Sequence, residues 1–594
     1  MNPSKTDVTR AKKTVQKRIR DFLYAEDTIL IALSVIIGFL ASLGASGFVE
    51  AINFFRLSWT PFGGDYTGFI FGDITTLLIP FLPALGGLLL GPFGALFPSE
   101  AKGHGVPEVM ESVVKEGGIL KARTIFIRGI ASAITIGTGG SAGREGPIAQ
   151  IGAAIGSATA QFFKLSSNNV RTLLGCGAAG GIAATFNAPI AGALFALEIV
   201  LGDWHIATFT PVIMSSVIAT TTTRYMHGGK AIFDVPYYQL VNPVEIIFYA
   251  ILGLLAGLVA LLFIYAMERC EHFFEEKLPV HPWLKPAIGG FLVGIIGLVF
   301  PQIFSNGYGP LGKALMGEMV LWLMFALVFM KILATALTLG SGGSGGIFAP
   351  ALYIGAMLGG AFGTAITIIF PYMTAKSGAY ALVGMGAVLA AAAHAPLTNI
   401  LLVYELTSDY HIILPIMVAC IMSTLTIRAL SPHSIFTVGL HKRGITIEAG
   451  TEVNVLQSLK VRDAMATELE VIPEDMSFGD ILRHITLSKY SNFPMVNKEG
   501  RLTGILSFQD VREHVFDPEL EKLVVAKDLA TLAVPTVTPM DNLKDALSSL
   551  AYGSIEQLPV VDTRGGDVLI GILTRSDIIT AYNRAITRYE ESNG

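Results

Sequence analysis

Charged residues are scarce in this 594-residue chain: Asp, Glu, Lys and Arg make up 15% of it, where soluble domains run near about a quarter. The deficit is local. From about Thr28 to Leu430 charges are thin, whereas from about Val453 onward the composition is that of an ordinary soluble domain. That excludes a single soluble domain and marks the main boundary. Cysteine is nearly missing as well. Cys176, Cys270 and Cys420 form no spaced pair, which excludes a disulfide framework and a cysteine zinc site. No Ser/His/Asp set, metal cluster or phosphate-cradling Gly-Lys loop stands out, so the sequence reads as a non-enzyme with no metal.

What is present is apolar and broken. The 52% hydrophobic content gathers into about a dozen segments between 28 and 431, including 121–137, 147–164, 171–201, 347–371 and 379–406. A full membrane span needs about 20 apolar residues, and several segments are shorter or interrupted by Gly and Pro. The 64 glycines concentrate at the breaks. Interrupted helices of this kind bring helix ends to the bilayer midplane in transporters. Ahead of the first segment stand Lys5, Arg10, Lys12, Lys13, Lys17, Arg18 and Arg20 against one acid, Asp7. Such a run favours a cytoplasmic N-terminus. A membrane surface accounts for these charges without a nucleic-acid partner. The stretch Thr28 to Val49 is too long for a signal-peptide core and reads as the first membrane helix.

The breaks repeat. Ser141-Ala142-Gly143-Arg144-Glu145-Gly146-Pro147 aligns without a gap on Ser344-Gly345-Gly346-Ile347-Phe348-Ala349-Pro350. Asn187-Ala188-Pro189 aligns on His394-Ala395-Pro396, and Glu198 on Glu405. These are two diverged copies of one membrane unit, and an inverted relation between them is expected. The tail repeats too. Phe493-Pro494-Met495-Val496 matches Leu558-Pro559-Val560-Val561, and Gly504-Ile505-Leu506-Ser507 followed by Asp510 matches Gly571-Ile572-Leu573-Thr574 followed by Asp577. Each tail copy reads as two strands and a helix, the helix near Phe478–Leu487 or Leu543–Ala551.

An anion inside a membrane needs donors, because a dehydrated charge costs several kcal/mol or more. A full positive charge would hold the ion too tightly for release. A helix N-terminus is the intermediate solution, with free N–H groups and about half a positive charge. Glycine allows close approach of backbone to ion, and proline suits the first helical turn. Three loops carry this chemistry: Gly103-His104-Gly105-Val106-Pro107, Gly143 to Pro147, and Gly345 to Pro350.

These three loops, in this order, resemble the signature segments of the CLC family of chloride channels and chloride–proton antiporters, and the resemblance covers almost the whole apolar part. It implies a homodimer with one pore per subunit in the lipid bilayer of the cell (inner or plasma) membrane, both termini cytoplasmic, moving chloride and, in an antiporter, protons. Glu145 falls on the family's gating glutamate, whose carboxylate competes with the outer anion until a proton neutralises it. The backbone amides of Ile347 and Phe348 would bind the central ion, with Arg144 and Gly146 further out. His104, with Gly105 beside it, stands where many members have a serine, and Phe436 where many have a tyrosine hydroxyl on the same ion. A histidine brings pH sensitivity, its ordinary pKa being about 6.5. Ile199 follows Glu198 where many antiporters have a second, proton-transferring glutamate. It cannot carry a proton, so channel and antiporter both stay open. Glu198 and Glu405 read more simply as helix-end or subunit-contact residues.

The tail resembles a CBS pair. In that family the Asp holds ribose hydroxyls and the Ser/Thr contacts phosphate, which implies Ser507, Asp510, Thr574 and Asp577 as the site of an adenine nucleotide (ATP, ADP or AMP). The same aspartates can instead cap the helices that follow. The expected organisation is a basic cytoplasmic segment 1–27, a transport domain 28–440, a linker 441–457, and CBS units 458–516 and 523–588. The fold class is therefore a multi-span α-helical membrane protein with an inverted internal repeat and broken helices, plus a cytoplasmic α/β tandem CBS module. The function is chloride transport gated by a glutamate. The alternatives are export of nitrate or fluoride on the same scaffold, or a nucleotide-sensing receptor that does not transport.

Overall fold

The computed structural model describes residues 26–592 apart from 60–77, 102, 230–232, 234, 408–409, 444, 446–455, 457–458, 489, 513–522, 533, 554–555 and 563–567. The basic segment 1–27, save the backbone of its last two residues, and most of the linker 441–457 lie outside the described residues. The chain forms two units, Met1–Thr446 and Ile447–Gly594.

In the first unit, six helices among the described residues are long and apolar enough to cross a membrane: Thr28–Ser58, Ile206–His227, Glu245–Lys277, Leu321–Gly340, Phe348–Ile369 and Ile413–Leu430. Shorter apolar helices lie among them, including Thr124–Gly137 and Ser377–Ala393. The segments 171–201 and 379–406, continuous in apolarity, are each two helices. Asn187 takes a left-handed conformation (φ 57°) and ends Ser167–Phe186, and Pro189 opens the next helix. His394 (φ 57°) does the same between Ser377–Ala393 and Pro396–Thr407. A left-handed residue turns the chain out of the helix, and proline's fixed φ suits the first turn of the next.

The two copies face each other through equivalent residues. Gly143 N–H donates to the Gly346 carbonyl at 2.7 Å, and Gly346 N–H to the Gly143 carbonyl at 2.7 Å. Ser141 N–H donates to Thr338 Oγ1 at 3.0 Å, and Ser344 N–H to Thr135 Oγ1 at 3.2 Å. Each pair of equivalents (141 and 344, 143 and 346, 135 and 338) differs by 203 positions. Contacts exchanged in this way are the mark of a two-fold axis, as the inverted repeat requires. Within each copy the close contact is between glycines. A Cβ on Gly152 would strike the Gly177 carbonyl, and one on Gly355 the Gly384 carbonyl, so small residues let these helix backbones touch.

The second unit holds two small α/β layers. Asn492–Val496 pairs in parallel with Ile472–Pro473 and antiparallel with Leu502–Ser507, under the helix Phe478–Leu487. Gln557–Val561 pairs antiparallel with Leu569–Thr574, beside the helix Leu543–Gly553. The registers correspond: Phe493 opposes Leu506 as Leu558 opposes Leu573, and all four side chains are buried.

Candidate functional site

Glu145 is the first residue of the helix Glu145–Phe162. Its side chain is fully buried, and two donors hold it. Tyr308 Oη donates to Oε1 at 2.5 Å, and Ala349 N–H donates to Oε2 at 3.2 Å. Ala349 lies in the first turn of Phe348–Ile369, where N–H groups lack intrahelical partners and the dipole favours negative charge. A carboxylate therefore occupies a place built for an anion. Arg144 Nε is 3.9 Å from Glu145 Oε1, and the guanidinium lies 5.1 Å from the centre of the Tyr308 ring.

The three Gly/Pro loops converge here. A Cβ on Gly105 would press on the Gly146 carbonyl, and one on Gly146 would meet the His104 carbonyl and, at 2.9 Å, Gly346 Cα. Only glycine allows this approach. Gly105 heads the helix Val106–Lys115, and its N–H is bound by Glu108 Oε2 at 2.8 Å. His104, Gly105, Arg144, Glu145, Gly146, Ile347 and Phe348 thus meet in one region. Phe436 joins them as packing: its ring stacks on Phe348 at 5.6 Å and 27°, while Phe195 meets Phe348 edge-on at 5.4 Å. Ile199 is buried in the wide helical turn Ala196–Leu201 that follows Phe195.

His104 is among the residues that line a cavity of about 810 Å³. His104 Nδ1 is buried with no hydrogen-bond partner among the described residues. Six glutamates line the same cavity: Glu100, Glu108, Glu111, Glu116, Glu271 and Glu275. Glu100 is paired with Arg123 at 2.6 Å and Glu111 with Arg443 at 3.3 Å.

Glu198 and Glu405 are helix-end ligands, and they cap each other's helices. Glu405 accepts from Ile190 N–H at 3.0 Å and Ala191 N–H at 2.7 Å. Glu198 accepts from Leu397 N–H at 3.2 Å, and from Thr398 N–H at 2.7 Å and Thr398 Oγ1 at 2.5 Å.

Other contributors come from elsewhere in the chain. Tyr308 and Ala349 complete the site. Buried Arg128 and Lys331, also 203 positions apart (331 − 128), are equivalent cations of the two copies. A signal for Tyr308 existed, since Gly307-Tyr308-Gly309-Pro310 is a fourth Gly/Pro loop opening a helix.

In the tail, Asp510 Oδ2 accepts from Ser507 N–H at 2.8 Å and Ser507 Oγ at 2.7 Å. Asp577 Oδ2 likewise accepts from Thr574 N–H at 2.9 Å and Oγ1 at 2.6 Å. Each pair caps the helix that follows it.

The family model described as voltage-gated chloride channel matches residues 86–428, and the CBS domain matches 461–517 and 526–584. A putative chloride channel protein, ClcB-like, of Ralstonia nicotianae is 35% identical over 422 residues, 69% of this chain and 96% of that protein. The H(+)/Cl(−) exchange transporter ClcA of Citrobacter koseri is 34% identical over 442 residues, 71% of this chain and 91% of that protein. Among solved structures, a slow cyanobacterial Cl−/H+ antiporter superposes with a TM-score of 0.64 at 26% identity, over 70% of this chain and 97% of its own. A eukaryotic CLC transporter superposes with a TM-score of 0.60 at 19% identity, over 92% and 97%.

Proposed function

Since the chain belongs to the voltage-gated chloride channel family and moves chloride across a membrane, we propose that it does so as a chloride–proton exchanger with Glu145 as its gate. One observation carries this: the Glu145 carboxylate rests on the Ala349 N–H in the first turn of Phe348–Ile369. A side chain in an anion's place competes with the anion. A proton on that carboxylate removes the charge that holds it there, so each release couples a proton to an ion. The amides of Ile347 and Phe348 are the central site. Gly105, Arg144 and Gly146 shape its approaches, and Phe436 supplies an apolar wall in place of a hydroxyl.

Exchange also needs protons from the other side. With Ile199 unable to carry one, the route runs through water in the glutamate-lined cavity that His104 borders. Ile199 itself favours a second reading, a channel that opens on the same protonation. Chloride efflux from liposomes at clamped voltage, with external pH recorded, separates them. Steady proton movement against its gradient means exchange, and fast flux without it means a channel. In the same assay Glu145→Gln abolishes coupling or the pH dependence of flux, and a variant indistinguishable from wild type would sink the gate. Loading with nitrate or fluoride tests selectivity at His104 and Phe436, and absence of flux for any halide would favour the receptor.

The same reading extends to assembly and regulation. The chain works as a homodimer in the cell membrane, with both termini cytoplasmic. An adenine nucleotide binds the tail at Ser507, Asp510, Thr574 and Asp577. It shifts the gate only insofar as it binds one state more tightly.

A further inference from the structure

We propose that Tyr308 is the second half of the gate: its phenol latches the Glu145 carboxylate in the blocking position while that carboxylate is charged, and loosens when it takes up a proton. This rests on the reading of Glu145 as the gate.

The latch is built from several directions. Tyr308 opens the helix Tyr308–Leu315 and donates to Glu145 Oε1 at 2.5 Å. Its ring is fixed on two sides, by Arg144 at 5.1 Å and by Phe233, edge-on at 5.4 Å. The loop that carries it is held from beneath. Fully buried Lys331 donates to the Ile303 carbonyl at 2.8 Å and the Ser305 carbonyl at 2.9 Å. Ser305 and Gly307 take left-handed conformations, φ 55° and 78°. Such a loop does not yield freely, so the phenol is presented at a set position.

Among the described residues, the groups facing Glu145 are few. Arg144 lies 3.9 Å from Oε1 on its own helix, Tyr308 approaches from a second helix, and the Ala349 N–H from a third. The phenol is neutral at working pH, its ordinary pKa being about 10. It donates to a charged carboxylate about twice as strongly as to a neutral acid. The bond therefore favours the charged, blocking form and weakens on protonation, with no proton leaving the tyrosine. Arg144 lies beside both partners.

Tyr308→Phe keeps the ring and removes only the donor. In chloride efflux from liposomes carrying the full chain, it moves the pH of half-maximal flux upward by about one unit, the equivalent of a tenfold change in the gate equilibrium. In a Glu145→Gln background the same change leaves the pH profile where it was. Superimposable profiles for wild type and Tyr308→Phe would overturn the latch, as would an equal shift in both backgrounds. A fluorotyrosine at position 308 is a stronger donor and moves the midpoint the other way. It replaces the Phe variant if that variant does not fold, and no movement overturns the proposal. Glu145→Gln alone tests the gate, so the two ideas fail separately.

Discussion

Replacing Glu405 with alanine removes two hydrogen bonds from the first turn of the helix Pro189–Phe195, those from Ile190 and Ala191 at 3.0 and 2.7 Å. Hydrogen bonds to a charged group are worth roughly 1.5–3 kcal/mol each. Losing a helix cap typically costs about 1 kcal/mol. Glu405 is half-buried, so water recovers part of the loss, and about 2–4 kcal/mol is expected for Glu405→Ala. Glu405→Gln keeps one carbonyl acceptor but loses the charge at a helix N-terminus, and should cost roughly half as much. The contact is reciprocal: Glu198 caps the helix that bears Glu405. Once one cap is gone the helix pair loosens, and the second cap has less left to hold. The double variant Glu198→Ala/Glu405→Ala should therefore lose less than the sum of the singles, by about 0.5–3 kcal/mol. Thermal unfolding in detergent, followed by fluorescence, reads the wild type and all four variants, Glu198→Ala included, and chloride flux is measured beside it. Unchanged unfolding in Glu405→Ala, or strict additivity in the double variant, would refute the reasoning. So would a variant of full stability that had lost proton coupling, since the carboxylate would then belong to transport.

Three further outcomes follow from the same physical arguments. Lys331→Met leaves the Ile303 and Ser305 carbonyls without their donor, so stability should fall by about 2–4 kcal/mol, seen as a lower unfolding temperature. Gly152→Val places a side chain on the Gly177 carbonyl and should prevent folded protein from being recovered in detergent, whereas Gly439→Ala, with open space around it, should be tolerated. In the tail, millimolar ATP should raise the unfolding temperature of the wild type, by the equivalent of about 2.7 kcal/mol at a hundred times the dissociation constant, and Asp510→Ala/Asp577→Ala should abolish the rise. A rise that persists in the double variant would show that the aspartates only cap their helices.

Much of the site was legible because its chemistry is written in the backbone. A dehydrated anion wants helix N-termini and close approach, and only Gly and Pro at particular spacings supply both, so His104 to Pro107, Arg144 to Pro147 and Ile347 to Pro350 announce themselves. The repeat was legible for the same reason, since equal geometry on both sides of an axis demands equal glycines. The break inside 171–201 was marked by Asn187-Ala188-Pro189 and its repeat at His394, but the left-handed φ by which Asn187 ends its helix is not registered by an apolar window. Tyr308 was hidden differently. Its loop carries the right residues, but a tyrosine between two glycines does not say which carboxylate, 163 positions away, its hydroxyl will meet. The roles of Glu198 and Glu405 were hidden in the same way, each being decided by a helix end about 200 residues distant.

The sequence by itself therefore determined the membrane class, the two repeats and the three Gly/Pro loops that open helices, because these follow from local backbone chemistry and composition, while Glu145 came forward as a gate only through the family resemblance. Only the tertiary structure decided that Glu145 lies on the Ala349 amide under the Tyr308 phenol, that Phe436 packs as an apolar wall, and that the repeat glutamates cap each other's helices. Those are contacts between segments far apart in the chain, and their partners are chosen by how the two copies pack about their axis.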